Sequence, residues 1–302
     1  MYMGVYEIRD RDEAVSIMVD KANIAADTIK NNYDCCVAYY DEHLLEISIE
    51  QRRLLGEFEP ALQNDEFVMY LQPQVNSDGA AKGAEALVRW VHPSRGILTP
   101  YAFIDILENA GLIYKLDLYI WEKAAQKLAE WKEKGYGSYH ISVNISTKDF
   151  YILDIYETFT GLINKYGIAA SNLHLEITET TLMTDFEKNM NIIHKLQDVG
   201  FRVEIDDFGS GYSSLNMLKD ISADVLKIDM GFLRKSENEV KGQDILESII
   251  TLAGKIGMDV ITEGVETKKQ LDMLTMMGCH EFQGYYFSKP VPVSEFEEKY
   301  LV

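Results

Sequence analysis

The chain has 302 residues, 47% of them apolar and 26% charged, a composition ordinary for a globular protein and unlike that of a disordered one. Its net charge of −20 excludes a general binder of DNA or RNA polymers, which needs basic surface to displace phosphate counterions, and disfavours direct contact with an anionic membrane. The three cysteines, Cys35, Cys36 and Cys279, make neither a zinc spacing nor a disulfide framework, and no apolar run approaches the roughly 18 residues of a membrane span.

Taken in chain order, Val5–Asp10 reads as a strand, Arg11–Asn32 as an amphipathic helix and Cys36–Asp41 as a second short strand. Glu46–Leu62 then reads as a charged helix. This opening stretch is too short for a well-cored independent domain. From Phe67 onward, short apolar runs alternate with longer amphipathic stretches. The runs are Phe67–Leu71, Ala84–Val88, His140–Val143, Leu173–Ile177, Arg202–Ile205, Val225–Ile228, Asp259–Ile261 and Glu281–Phe282. Helical stretches between them include Leu116–Lys132, Phe186–Val199, Gly242–Ile256 and Lys268–Met277; Ile192, Ile193, Leu196 and Val199 show the apolar spacing of a helix. Such alternation signals parallel βα units. Eight strand candidates fit an α/β fold closed as a (β/α)8 TIM-like barrel, which takes about 250 residues. An open doubly wound sheet is the competing arrangement, but Pro73–Gly79 lacks its G-x-G-x-x-G phosphate loop.

The candidate strands share one feature: their C-terminal ends carry acidic, amide or ammonium side chains. Glu85 lies in the second run, Asn144 ends the third, Glu176 lies near the end of the fourth, and Asp206 and Asp207 end the fifth. Lys227 and Asp229 sit at the sixth, Glu263 ends the seventh and Gln283 the eighth. One such residue alone is more often a helix cap or a solvated loop group. Recurrence at the same end of run after run points instead to the face of a parallel barrel that holds active sites. Glu85, Asn144, Glu176 and Asp206 would converge there as oxygen ligands, and oxygen donors without His or Cys suit Mg²⁺ or Mn²⁺. A second ion could use Asp207, with Asp206 as a bridge, giving the paired-metal arrangement that drives in-line displacement at phosphorus.

The segment Glu85-Ala86-Leu87-Val88-Arg89-Trp90 resembles the signature of EAL-domain cyclic di-GMP phosphodiesterases. The family's other elements follow in its order. Leu71-Gln72-Pro73 resembles the Gln-Pro element, Ser142-Val143-Asn144-Ile145-Ser146 the asparagine strand, and Leu175-Glu176-Ile177-Thr178-Glu179 the E-x-T-E element. Asp206-Asp207-Phe208-Gly209-Ser210-Gly211-Tyr212-Ser213-Ser214-Leu215 is similar to the D-D-F-G-T-G-Y-S-S-L loop, with serine where threonine is usual. Lys227-Ile228-Asp229, Glu263-Gly264-Val265-Glu266-Thr267, Gln283-Gly284-Tyr285 and Ser288-Lys289-Pro290 complete the resemblance, which runs from about Leu54 to Pro292.

The resemblance implies roles for these positions. Glu85, Asn144, Glu176 and Asp206 would ligate a first Mg²⁺ or Mn²⁺, and Asp207 a second, with Asp229 close by. Lys227 would hold the attacking water, Glu263 would act as ligand or base, and Gln283 would help fix the site. Gln72, Leu87 and Arg89 would hold the dinucleotide, and the planar fork of Arg89 suits phosphate. Glu179 would steady the Phe208–Leu215 loop near a homodimer contact. The implied activity is hydrolysis of cyclic di-GMP to linear pGpG; the rivals are a silent cyclic di-GMP receptor and an enolase-like lyase. Gly4–Asp41 resembles the closing part of a GGDEF domain without its signature loop. The expected organisation is a GGDEF-like remnant at 1–45, a linker helix at 46–62 and the phosphodiesterase barrel at 63–302. Reduced thiols and the lack of a signal peptide suggest a cytoplasmic chain, although a longer parent protein could be membrane-anchored.

Overall fold

The computed structural model describes residues 2–30, 36–208, 221–231 and 239–301. The chain opens with a small unit in which strands β1 (Met3–Val5) and β2 (Val37–Tyr39) pair in parallel and helix α1 (Val15–Asp27) crosses between them. The first strand lies earlier than the expected Val5–Asp10. Gly4 explains the shift: a Cβ there would fall 1.8 Å from the carbonyl oxygen of Ala22, so only glycine lets this strand press against α1. Ala25 and Ile29 are buried in this unit, whereas Met3, Val15, Ile17, Val19, Val37 and Tyr39 are exposed.

Helix α2 (Glu42–Gln63) starts where the Asp41 carboxylate accepts the Leu44 N–H at 2.9 Å. Its far end is anchored by aromatic packing. Phe58 meets Phe67 at 5.6 Å between ring centroids, Phe67 meets Trp90 at 4.8 Å, and Trp90 meets Phe103 at 5.9 Å. All four side chains are buried, each contributing about 1.5–3 kcal/mol of transfer free energy.

The remaining strands are β3 (Phe67–Val75), β4 (Ala81–His92), β5 (Gly96–Leu98), β6 (His140–Ile145), β7 (Leu173–Thr178), β8 (Val203–Phe208), β9 (Val225–Asp229), β10 (Asp259–Glu263), β11 (Glu281–Phe282) and β12 (Val291–Pro292). Hydrogen bonding runs β3-β11-β10-β9-β8-β7-β6-β4 and returns from β4 to β3, closing an eight-stranded barrel. Strands β5 and β12 extend β4 and β3 outside the ring.

Helices α3 (Ile104–Ala110), α4 (Ile113–Glu133), α5 (Asp149–Ile152), α6 (Ile155–Tyr166), α7 (Glu179–Thr184), α8 (Phe186–Val199), α9 (Glu239–Lys255), α10 (Lys268–Met276) and α11 (Val293–Tyr300) follow the strands in the chain. The closed α/β barrel expected from the alternation is present, with one departure from parallel units. Strand β3 is antiparallel to both β4 and β11. The turn between β3 and β4 is the cause: residues 76–80 close it through Asn76 and Asp78, whose carboxamide and carboxylate oxygens both accept the Ala80 N–H. A connection this short joins only antiparallel strands, since a parallel return takes a dozen residues or more.

The alternation along the strands decides what the barrel encloses. In β6, β7 and β8, Ile141, Val143, Leu173, Leu175, Ile177, Val203 and Ile205 are buried under the helices. The intervening positions are Ser142, Asn144, His174, Glu176, Glu204 and Asp206, which point to the other face of the pleat and fill the barrel with polar groups.

Candidate active site at the barrel rim

The polar side chains at the strand ends converge on one atom, the ammonium nitrogen of Lys227. Nζ lies 2.8 Å from Glu176 Oε2, 2.7 Å from Glu263 Oε1, 3.4 Å from Glu85 Oε2 and 3.5 Å from Asp206 Oδ1. These five side chains come from β4, β7, β8, β9 and β10, so the barrel's closure brings them together. Amides complete the ring: Gln283 Nε2 donates to Glu85 Oε2 at 2.5 Å and to Gln72 Oε1 at 3.3 Å, and Asn144 Nδ2 donates to Glu85 Oε1 at 3.2 Å. The antiparallel course of β3 places Gln72 directly opposite Glu85.

One cation among four carboxylates sets the electrostatics. Burial alone would depress the Lys227 ammonium, but Asp206, Glu176, Glu263 and Glu85 outweigh it and hold the lysine well above its usual range. Lys227 is therefore a donor and not a base. Burial and the charge of Glu85 push the Glu176 carboxyl well up, against the pull of Lys227. Burial raises Glu263 to about 8, with Asp206 and Glu85 adding to the effect and Lys227 opposing it. Asp207 is also raised, by burial and by Asp206 and Asp229.

Asp207 has φ +56°, in the left-handed region, and its N–H donates to Asp206 Oδ1 at 2.9 Å. Asp229 ends β9 and accepts the Gly231 N–H at 2.6 Å. The β3–β4 ribbon overruns the rim: β4 pairs with β6 only as far as Glu85, and then carries Leu87 and Arg89 beyond it. Arg89 donates to the Val88 carbonyl at 2.8 Å and lies 5.5 Å from the Tyr70 ring centre. Glu179 opens α7 directly after β7. Of the Phe208–Leu215 loop it was expected to steady, residues 209–215 lie outside the described part of the chain, as does Cys35.

The rim's donor set fits hard divalent cations. Glu176 Oε1 and Gln283 Oε1 are buried without a hydrogen-bond partner among the described residues, and the surplus of carboxylates over cations calls for further positive charge.

A second polar layer, not anticipated from the sequence, lies two residues deeper on the same strands. His174 Nδ1 and Glu204 Oε1 are 2.6 Å apart, His140 Nε2 and Gln74 Oε1 2.7 Å, and the Ser142 hydroxyl lies 3.4 Å from Gln74 Oε1 and 3.3 Å from Glu204 Oε1. Its signal was the strand period of two: Ser142, His174 and Glu204 each precede a rim residue by two positions. His140, His174 and Glu204 are close enough to suggest a second metal site. Ring geometry opposes that reading. The two imidazoles stack at 3.8 Å with planes 5° apart, and two parallel, separated rings cannot both aim in-plane lone pairs at one ion. The stack is built in: a Cβ on Gly83 would lie 2.4 Å from the His140 ring, so only glycine lets the imidazole lie flat there. A polar cavity of about 910 Å³ opens onto these rings from the mouth opposite the rim.

Comparison with known proteins places this geometry in a family. Residues 56–290 match the family described as "EAL domain". The bifunctional diguanylate cyclase/cyclic di-GMP phosphodiesterase MucR of Pseudomonas aeruginosa is 32% identical over 272 residues, which make up 90% of this chain and 39% of that protein. The cyclic di-GMP phosphodiesterase PdeR of Escherichia coli is 33% identical over 240 residues, 80% of this chain and 36% of that protein. The chain thus spans about two fifths of the length of these curated relatives. Among solved structures, the cyclic di-GMP complex of the PaMucR phosphodiesterase superposes with a TM-score of 0.76 at 33% identity, covering 81% of this chain and 99% of the other. With the barrel, the rim and the matched span in agreement, the chain belongs to the EAL domain family.

Proposed function

We propose that this chain hydrolyses cyclic di-GMP to linear pGpG in a reaction that depends on divalent cations. The observation that carries the reading is the convergence of Glu85, Glu176, Asp206 and Glu263 on a buried Lys227, with Asn144 and Gln283 at the same rim. The retention of every one of these groups favours an enzyme over a silent receptor. Mg²⁺ or Mn²⁺ held by Glu85, Asn144, Glu176 and Asp206, with Asp207 and Asp229 serving a second ion, would polarise the phosphoryl group and acidify a water.

The chain's own groups supply the rest. Lys227, held protonated, donates a hydrogen bond that orients the water. Glu263, 2.7 Å from that ammonium, is placed to accept and return a proton. Attack at phosphorus breaks the bond to the 3′ oxygen, which takes a proton as the ring opens. Arg89, Leu87 and Gln72 lie at and beyond the rim to hold the dinucleotide, with Arg89 compensating phosphoryl charge.

Residues 1–45 are read as the closing part of a GGDEF-like domain, and their exposed apolar side chains are compatible with a further surface packing there. A homodimer, with the Phe208–Leu215 loop expected near its contact, is part of the same reading. No helix among the described residues is long and apolar enough to cross a membrane.

The test is incubation with cyclic di-GMP and Mn²⁺ or Mg²⁺, followed by chromatography for pGpG. Glu85→Ala should reduce turnover by at least about a hundredfold, the scale of lesser losses around a metal. Wild-type protein that binds the dinucleotide without cutting it, or a Glu85→Ala variant at wild-type rate, would end the proposal.

A further inference from the structure

Outside the barrel, α4 lays one stripe along the end of β6 and the loop that follows. Ile113, Asp117, Trp121 and Ala125 recur at every fourth position, and their apolar members are buried. Trp121 Nε1 donates to the backbone carbonyl of Asn144 at 2.9 Å. One turn earlier, Asp117 meets Asp149, which lies in α5 just past β6. Asp149 is fully buried, and its Oδ2 accepts both the N–H and the hydroxyl of Ser146 at 2.8 Å. Its other oxygen, Oδ1, has no donor while Asp117 is ionised.

The charged and titratable groups around the pair are Glu108 from α3 and Lys148, with Asp105 acting on Glu108. No cation is bonded to either aspartate among the described residues. Asp149 is fully buried and Asp117 half-buried; two carboxylates in contact there cannot both stay ionised without cost, and the economical solution is one shared proton. The geometry points to such a pair: Asp117 keeps a proton and donates it to Asp149, and this bond clamps the 146–149 turn to α4, positioning the strand end that presents Asn144 to the rim. Asp117 and Asp149 are positioning residues, since neither touches the reacting groups. The directions of titration agree with the geometry. Burial, then the charge of Asp149, raises Asp117 well above the ordinary carboxylate range, and burial raises Asp149 against the bonds from Ser146.

The sign of the pH effect follows from these raised values. Stability from the clamp is complete below the unfolded carboxylate range and is lost as pH rises through the pair's own pKa. The inference deepens the reading of Asn144 as a metal ligand and rests on that reading only in its activity arm. Asp117→Asn supplies a donor at every pH, whereas Asp117→Ala supplies none.

In chelator, thermal unfolding is followed from about pH 5 to about pH 9. Relative to wild type, Asp117→Asn should gain melting temperature as pH rises, and Asp117→Ala should lose it most at the acid end. The infrared carbonyl band of a protonated carboxyl should weaken in Asp117→Asn. With Mn²⁺ present, Asp117→Asn should keep turnover within about twofold, while Asp117→Ala loses on the order of tenfold and needs more Mn²⁺ for half-saturation. A pH-independent offset between Asp117→Asn and wild type, equal losses in both variants, or an unchanged infrared band would overturn the clamp. Lack of turnover in wild type would sink the functional reading and leave the unfolding and infrared arms to decide the clamp.

Discussion

The rim and the layer beneath it are both polar and built on the same strands, the rim partly open and the layer below buried, yet they handle charge in opposite ways. At the rim, four carboxylates share one ammonium, and burial with mutual repulsion raises Glu176 and Glu263. In the deeper layer a single carboxylate is matched to its partners. Burial alone would raise Glu204, but the His174 hydrogen bond, with the charges of His174, Lys227 and His140, brings it to about 2. Burial and His174 lower His140 to about 3, so it is neutral over the working range. One layer is therefore left short of positive charge, whereas the other pairs its one carboxylate with an imidazole, with Glu204 Oε2 and Gln74 Nε2 left without partners among the described residues. The difference separates a rim with surplus negative charge from a charge-matched plug inside the barrel.

Removing the rim's cation should break this comparison most visibly. Lys227→Met keeps the length of the side chain and leaves the buried carboxylates uncompensated, at an expected cost of about 3–5 kcal/mol in chelator. Mn²⁺ should restore much of that stability, because an ion bound to the folded state alone stabilises it by mass action. Urea unfolding with and without Mn²⁺ measures both. A loss that Mn²⁺ does not touch would mean that the rim is no more ligand-hungry than the layer below.

The two layers should also impose opposite pH limbs on stability. Glu263, raised to about 8, contributes stability that is complete below the unfolded carboxylate range and lost as pH climbs through about 8. Glu204, lowered to about 2, contributes stability that is present above the unfolded range and lost as pH falls through about 2. In chelator, Glu263→Gln should flatten the alkaline limb and Glu204→Gln the acid limb. At neutral pH Glu204→Gln should cost about 1–3 kcal/mol, since it strips the His174 ring of its charged partner, and Mn²⁺ should leave that loss unchanged. Melting curves across pH for both variants are the measurement, and exchanged effects would refute the division.

How much of this was written in the sequence depends on the range of the interaction. Glu85, Asn144, Glu176, Asp206, Lys227 and Glu263 were legible because each interrupts or follows an apolar run, and closing the barrel brings those strands together whatever the helices do. Ser142, His174 and Glu204 carried a signal of equal simplicity, two positions earlier on the same face, but it shows only when the alternation is followed down the strand. The reversal of β3 was not readable, since the runs Phe67–Leu71 and Ala84–Val88 leave twelve residues between them, and only the full length of β3 and β4 shortens the turn to 76–80. Nor was the pairing of Asp117 with Asp149, because it depends on how α4 is rotated against the barrel, and that is fixed by side-chain packing such as Trp121 against Phe159 at 4.5 Å. For the same reason, no local pattern marked Asp117 as different from the other acids on that helix.

Trp121 offers the smallest and most local test of the contrast. Its Nε1–H satisfies the Asn144 carbonyl at the point where β6 reaches the rim, while its ring stays packed against Phe159. Trp121→Phe keeps most of the packing and removes the donor, leaving a strand-end carbonyl short of a partner at a cost of about 1 kcal/mol. If the rim depends on the placing of Asn144, this modest loss should appear as a several-fold rise in the Mn²⁺ needed for half-maximal stabilisation. The acid limb set by Glu204 should not move, because the deeper layer has no bond to Trp121. Equal weakening of both layers would show that α4 braces the barrel as a whole and not the edge that carries Asn144.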